Sequence, residues 1–178
     1  HAIPELAFEE HQTAAVIRDE LDRAGIPFTA GVPEAPTATL AVIGDHARPC
    51  LALRADIDAL PLSEPAGLDH ASQHPGCMHA CGHDGHAAIL LGCAFLLKEW
   101  AAQLPVCVKL IWQPAEEEGG GGQRLVQAGV LDGRLGPAVD AIFGLHGWPT
   151  LPLGPVSTKP GPLLAATDSF EATFVGPP

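Results

Sequence analysis

The 178 residues, 47% of them hydrophobic, are enough for one substantial core and leave little room for a second full domain. With 9 Lys and Arg against 21 Asp and Glu, the chain carries a net charge of −12, which argues against nucleic acid and anionic membrane as partners because both need basic patches. The five cysteines are odd in number and unevenly spaced, and several sit in apolar stretches. That is the usage of a reducing compartment; with no membrane-length apolar run and no secretory pattern in the first residues, a cytoplasmic location is expected.

In chain order, Ala14, Ile17, Leu21 and Ala24 recur at three and four residues within Glu9–Ala24, and Gly25 follows, the signature of an amphipathic helix with a glycine stop. Apolar runs at Thr39–Ile43 and Cys50–Ile57 read as strands, divided by a segment of turn composition. The second is apolar on both faces until charge appears at its end, as in a central strand. From Pro61 to Cys77 the chain has no period and reads as a long loop. A buried helix is expected from about Asp84 to Ala102, a strand over Val106–Trp112, a short helix over about Gln123–Ala128 and a strand over Ala141–Leu145. Two further short strands are expected near Val156–Thr158 and Ser169–Val175, in a region punctuated by Pro and Gly. Strands alternating with helices argue for an α/β fold, a mostly parallel central sheet with helices on both faces.

The run Met78-His79-Ala80-Cys81-Gly82-His83-Asp84-Gly85-His86 puts a cysteine and three histidines just ahead of the buried helix. Cys81 and His83, separated by one glycine, can aim at one borderline-soft cation, and a helix start would favour the Cys81 thiolate. Three strand ends carry polar groups: Asp56 and Asp58, then Glu116 and Glu117, then His146. Ligands of open α/β sheets bind beyond the carboxyl ends of the strands, so these groups would converge if the strands are parallel neighbours. Adjacent carboxylates can divide the work of a hydrolytic site, one binding a cation and the other taking a proton from water. Taken in isolation, the Glu116–Glu118 triplet suits a helix N-terminus better than catalysis. Cys77, Cys81, His83 and His86 could instead close one structural zinc site.

The segments Leu53-Arg54-Ala55-Asp56-Ile57-Asp58-Ala59-Leu60-Pro61, Met78 to His86, Gln113-Pro114-Ala115-Glu116-Glu117 and Gly144-Leu145-His146 resemble, in order, the signatures of the M20 metallopeptidase family. The similar branch is that of the aminoacylases, hippurate hydrolases and auxin-conjugate amidohydrolases, and the opening His1–Glu10 resembles the first helix region of that family. The resemblance implies a zinc-exopeptidase-like catalytic domain and two divalent cations, with Zn, Mn, Co and Ni all compatible. The implied reaction is hydrolysis of the amide bond of an N-acyl amino acid or similar small conjugate, releasing a carboxylic acid and an amino acid. By motif position Cys81, His83, Glu117 and His146 would be metal ligands and Glu116 the general base. Asp56 would support them, although Arg54 stands where other relatives carry a metal-binding His. Asp84 and His86 would act behind the ligands, Asp84 with helix capping as an equal alternative.

Family members are longer. On this resemblance residues 1–178 would be the N-terminal portion of a catalytic domain, incomplete on its C-terminal side. The lid and dimerisation domain, the later catalytic segment and its further His ligand would lie outside it, and the full-length protein would be a homodimer. The alternatives are an M20 dipeptidase or carboxypeptidase, the structural zinc module, and a catalytically inactive fragment that keeps only the fold.

Overall fold

A computed structural model describes residues 1–65, 67–165 and 170–176. Its elements are α1 (His11–Arg23), β1 (Phe28–Val32), β2 (Ala35–Ile43), β3 (Cys50–Asp56), α2 (His83–Glu99), β4 (Cys107–Gln113), α3 (Gly121–Ala128) and β5 (Ala141–Gly144), with a 3₁₀ turn at Ala101–Gln103. Residues 1–147 form one compact unit that holds all of them, and residues 148–178 form a second. Among the described residues, no helix is long and apolar enough to cross a membrane.

Helix α1 buries the stripe Ala14, Ile17 and Leu21. It ends as its glycine requires: Gly25 takes φ +63°, and the amides of Gly25 and Ile26 bond back to the carbonyls of Asp22 and Leu21. The sheet order is β1-β2-β4-β3-β5. Strand β4 is parallel to β3, β3 is parallel to β5, and β2 is antiparallel to both β1 and β4. Four of the five strands therefore run the same way, and β2 alone opposes them.

Both faces of the sheet are covered, so β4 is buried at every position. Val108, Leu110 and Trp112 pack with α1 and α2 residues such as Leu21 and Leu90. On the opposite face Ile111 packs with Leu125 of α3 and Val130. Lys109 shares that second face, and its ammonium donates to the carbonyls of Val130 (2.6 Å), Leu135 (2.8 Å) and Pro137 (2.6 Å). Strand β5 lies at the sheet edge with all four residues exposed.

The structure differs from the sequence reading in five places. Strand β1 was not expected; its five residues contain Gly31, which takes φ +69° at a bulge where a Cβ would approach the Pro36 carbonyl to 2.5 Å. Strand β2 begins at Ala35 because β1 gives that half a partner. Helix α3 begins at Gly121 rather than near Gln123. The strand near Val156–Thr158 does not form, and neither does one over residues 170–175; Ser169 lies outside the described residues. Around residues 156–158, prolines 152, 155, 160 and 162 remove amides a ladder needs.

Candidate metal centre

The centre is built at the carboxyl ends of β3, β4 and β5 and the N-terminus of α2, as the topology of an open α/β sheet favours. Helix α2 starts at His83, after Gly82 in the left-handed region at φ +86°, so the chain reverses sharply between Cys81 and His83. That turn brings the Cys81 sulfur to 3.5 Å from His146 Nε2, with His146 two residues past β5.

His83 is fully buried and held in one tautomer. Its Nδ1 lies 2.9 Å from the Asp58 carbonyl and 3.2 Å from Asp58 Oδ1. A carbonyl only accepts, so Nδ1 carries the proton and Nε2 faces the centre. From Nε2 the distances are 3.6 Å to Asp56 Oδ2, 3.8 Å to Glu116 Oε2 and 3.8 Å to Glu117 Oε1. Burial pulls the His83 pKa down, but the Asp58 hydrogen bond and the Asp56 charge outweigh it and raise it.

Behind these groups stand buried carboxylates and His86. The Gly147 amide donates to His86 Nε2 (2.8 Å), so His86 Nδ1 is the donor to Asp56 Oδ1 (2.6 Å). Both ring nitrogens are thus engaged, and His86 orients the His146–Gly147 bend. Burial would raise the Asp56 pKa, yet the His86 hydrogen bond and the Arg54 guanidinium, 2.6 Å away, hold it below the usual range. Arg54 also donates to Gln113 (2.9 Å). Asp58 is likewise kept low against burial, by His83 and by the amides of Glu117 and Glu116. Its Oδ2 accepts the Glu117 amide at 2.9 Å.

Three sets of side chains place one ligand atom each within 4.8 Å of one another: Cys81, His83 and His146; Asp56, His83 and His86; and His83, Glu116 and Glu117. The sequence-expected Cys81, His83, Glu116, Glu117, His146, Asp56 and His86 are therefore together. Asp84 is not in these sets: its carboxylate bonds His1 Nδ1 at 2.8 Å, and it lies in the first turn of α2, whose N-cap is Gly82. Cys77 also joins none of them, and His86 has no nitrogen to spare, so the four-ligand structural zinc site does not assemble among the described residues. Burial and then Glu117 push the Cys81 thiol up to about 12, against the stabilised thiolate expected from the helix start. A divalent cation reverses that logic, since coordination deprotonates a thiol.

The donor set fits metal on an independent observation. His83 Nε2 and Glu117 Oε1 are buried without a hydrogen-bond partner. At 3.8 Å apart they are too distant to bond each other, and two tetrahedral ligands at bond lengths near 2.1 Å are separated by about 3.4 Å. Orphaned buried acceptors are costly, and a shared cation relieves both.

The model of peptidase family M20/M25/M40 matches residues 52–176. The chain belongs to this family. Relatives in the family include an N-acetyl-L-cysteine deacetylase of Bacillus subtilis (strain 168), 47% identical over 99% of this chain and 41% of its own length. An IAA-amino acid hydrolase of Arabidopsis thaliana is 46% identical over 99% of this chain and 38% of its own length. The chain thus spans about two fifths of the curated relatives it matches. Among solved structures, a Bacillus subtilis dinuclear metal-binding M20 peptidase superposes with a TM-score of 0.79 at 45% identity, over 86% of this chain and 42% of that one.

Sequence reasoning did not give Asp58 a role, though an Asp-Ile-Asp run at a strand end places both carboxylates on one side. It also missed Glu10, a buried carboxylate whose Oε1 accepts the Ala115 amide at 2.9 Å, one residue before Glu116. Nothing in the local sequence signals that contact.

Proposed function

We propose that this chain is the metal-binding part of an amidohydrolase that cleaves the amide bond of N-acyl amino acids or similar small conjugates, releasing a carboxylic acid and an amino acid. The observation that carries the reading is the pair of orphaned buried atoms, His83 Nε2 and Glu117 Oε1, facing each other beside Cys81, His146 and Glu116. The names of the deacetylase and IAA-amino acid hydrolase relatives support the substrate class. The dinuclear relative supports two cations, and mixed sulfur, nitrogen and oxygen donors suit Zn, Mn, Co or Ni.

Cys81, His83, Glu117 and His146 would hold the metal, which when bound supplies Lewis acidity at the amide carbonyl and acidifies the attacking water. Asp58 fixes the His83 tautomer and anchors the Glu117 backbone. Asp56 and His86 orient the bend that carries His146. Glu116, the more exposed of the two glutamates, accepts a proton from water as its oxygen bonds to the carbonyl carbon. It returns that proton to the nitrogen as the C–N bond breaks, so the amine leaves neutral. All five cysteines are free, including Cys50 and Cys107, which sit opposite each other on β3 and β4; this supports a reducing, cytoplasmic setting.

Glu116→Gln tests the role assignment. Metal content should stay at the wild-type value while hydrolysis of N-acetyl amino acids and IAA conjugates drops by about 10²–10⁴-fold, the usual worth of a general base. Turnover by Glu116→Gln equal to wild type would show that another group moves the proton.

A further inference from the structure

We propose that Glu10 is a positioning residue for the metal centre: its buried carboxylate holds Ala115 in a left-handed conformation that aims Glu116 and Glu117 at His83. The inference rests on the metal-centre reading above and adds a residue from the opposite end of the chain.

Glu10 is fully buried at the N-terminus of α1. Its Oε1 accepts the Ala115 amide at 2.9 Å, and its Oε2 accepts the Thr37 hydroxyl at 2.6 Å. Both oxygens are therefore spent on fixing backbone and scaffold. Ala115 has φ +54° and no exposure. A residue with a Cβ adopts that region only where its surroundings impose it.

The far side of the same loop is gripped by the same segment. Gly119 packs so closely on the Phe8 ring that a Cβ there would come within 2.6 Å of it, and the Arg124 guanidinium lies 4.1 Å over that ring. Among the described residues, Phe8 and Ala115 are the non-glycine residues with positive φ. Both flank the Glu10 contact, so the unusual backbone of this protein is concentrated where residues 8–10 meet residues 115–119. The turn is also closed on itself: the Gly121 amide bonds the Ala115 carbonyl at 2.9 Å, and a Cβ on Gly121 would lie 1.8 Å from the Pro114 carbonyl oxygen. Two consecutive carboxylates leave this turn and come within 3.8 Å of one imidazole nitrogen. Relaxing Ala115 to negative φ would swing both away.

The test is Co(II) titration, followed by visible absorption, of wild type, Glu10→Gln, Glu10→Ala and Glu10→Ala/Ala115→Gly, each checked by thermal unfolding. Glu10→Gln keeps an oxygen acceptor and should bind Co(II) within about threefold of wild type, with the same spectrum. Glu10→Ala should weaken binding by about 10–100-fold, as loss of a ligand-orienting partner does. Adding Ala115→Gly should recover about tenfold, because glycine takes φ +54° without penalty; a residue that only stabilised the fold would show no such recovery. Glu10→Ala binding like wild type, a double variant no better than Glu10→Ala, or loss of folding in both would overturn the inference. Failure of the wild-type protein to bind Co(II) would overturn the metal-centre reading and this inference with it.

Discussion

His83 can act as a ligand only while its other nitrogen keeps the proton, and Asp58 enforces this with two acceptors at 2.9 and 3.2 Å while its second carboxylate oxygen holds the Glu117 amide. One side chain thus orders two neighbouring donors of the centre. Asp58→Ala leaves the backbone carbonyl under His83 but frees Glu117, and we expect a loss of about 10–100-fold in Mn(II) affinity, read by calorimetric titration. Affinity unchanged in Asp58→Ala would mean that the carboxylate is only a charge among others. At this scale the sequence was informative where chemistry is written locally: the Cys81–His83 spacing, the adjacent Glu116 and Glu117, and His146 after a strand. It was silent where placement depends on contacts between residues distant in the chain. Asp58 meets Glu117 from 59 residues away, and Glu10 meets Ala115 from 105; neither partner is visible in the run that contains the other.

Elements with a strong period or a continuous apolar run were legible: α1, β3, α2, β4 and β5 all form near their expected bounds. Elements defined by their partners were not, which is why β1 went unseen and the segment near Val156–Thr158 stays irregular. Lys109 shows how an apparent exception to the apolar pattern can be structural. It sits in the middle of β4, fully buried, where desolvation lowers its pKa. Its three donors satisfy three carbonyls of the segment between α3 and β5. Lys109→Met keeps the packing volume and strands those carbonyls. Each stranded buried acceptor costs about 1–3 kcal/mol, with partial relief by water, so a net loss of about 3 kcal/mol is expected. Urea unfolding should show this as a lower midpoint at unchanged slope. An unchanged midpoint would show that the ammonium contributes nothing beyond filling space.

The molecule as a whole carries a net charge of −12, and it gathers Asp56, Asp58, Glu116 and Glu117 around one imidazole. Such an arrangement works against folding unless positive charge is supplied to it, and Arg54 reaches Asp56 but is not bonded to the glutamates. Because the donors come from the ends of three strands and one helix, the unfolded chain has no equivalent site. A cation that binds the folded state alone adds about 2.7 kcal/mol at a free concentration of 100 Kd. For a chain of this length that corresponds to a rise in Tm of about 5–10 °C. Two controls separate coordination from screening. Raising NaCl to the same ionic strength should give a smaller shift, since diffuse screening acts on every surface charge alike. Glu117→Ala should lose most of the Mn(II)-induced rise while keeping the response to NaCl. EDTA should return the wild-type protein to its lower Tm. A protein that melts at one temperature with Mn(II) and with EDTA, or whose rise NaCl reproduces, would hold these carboxylates for their charge alone and not for a metal.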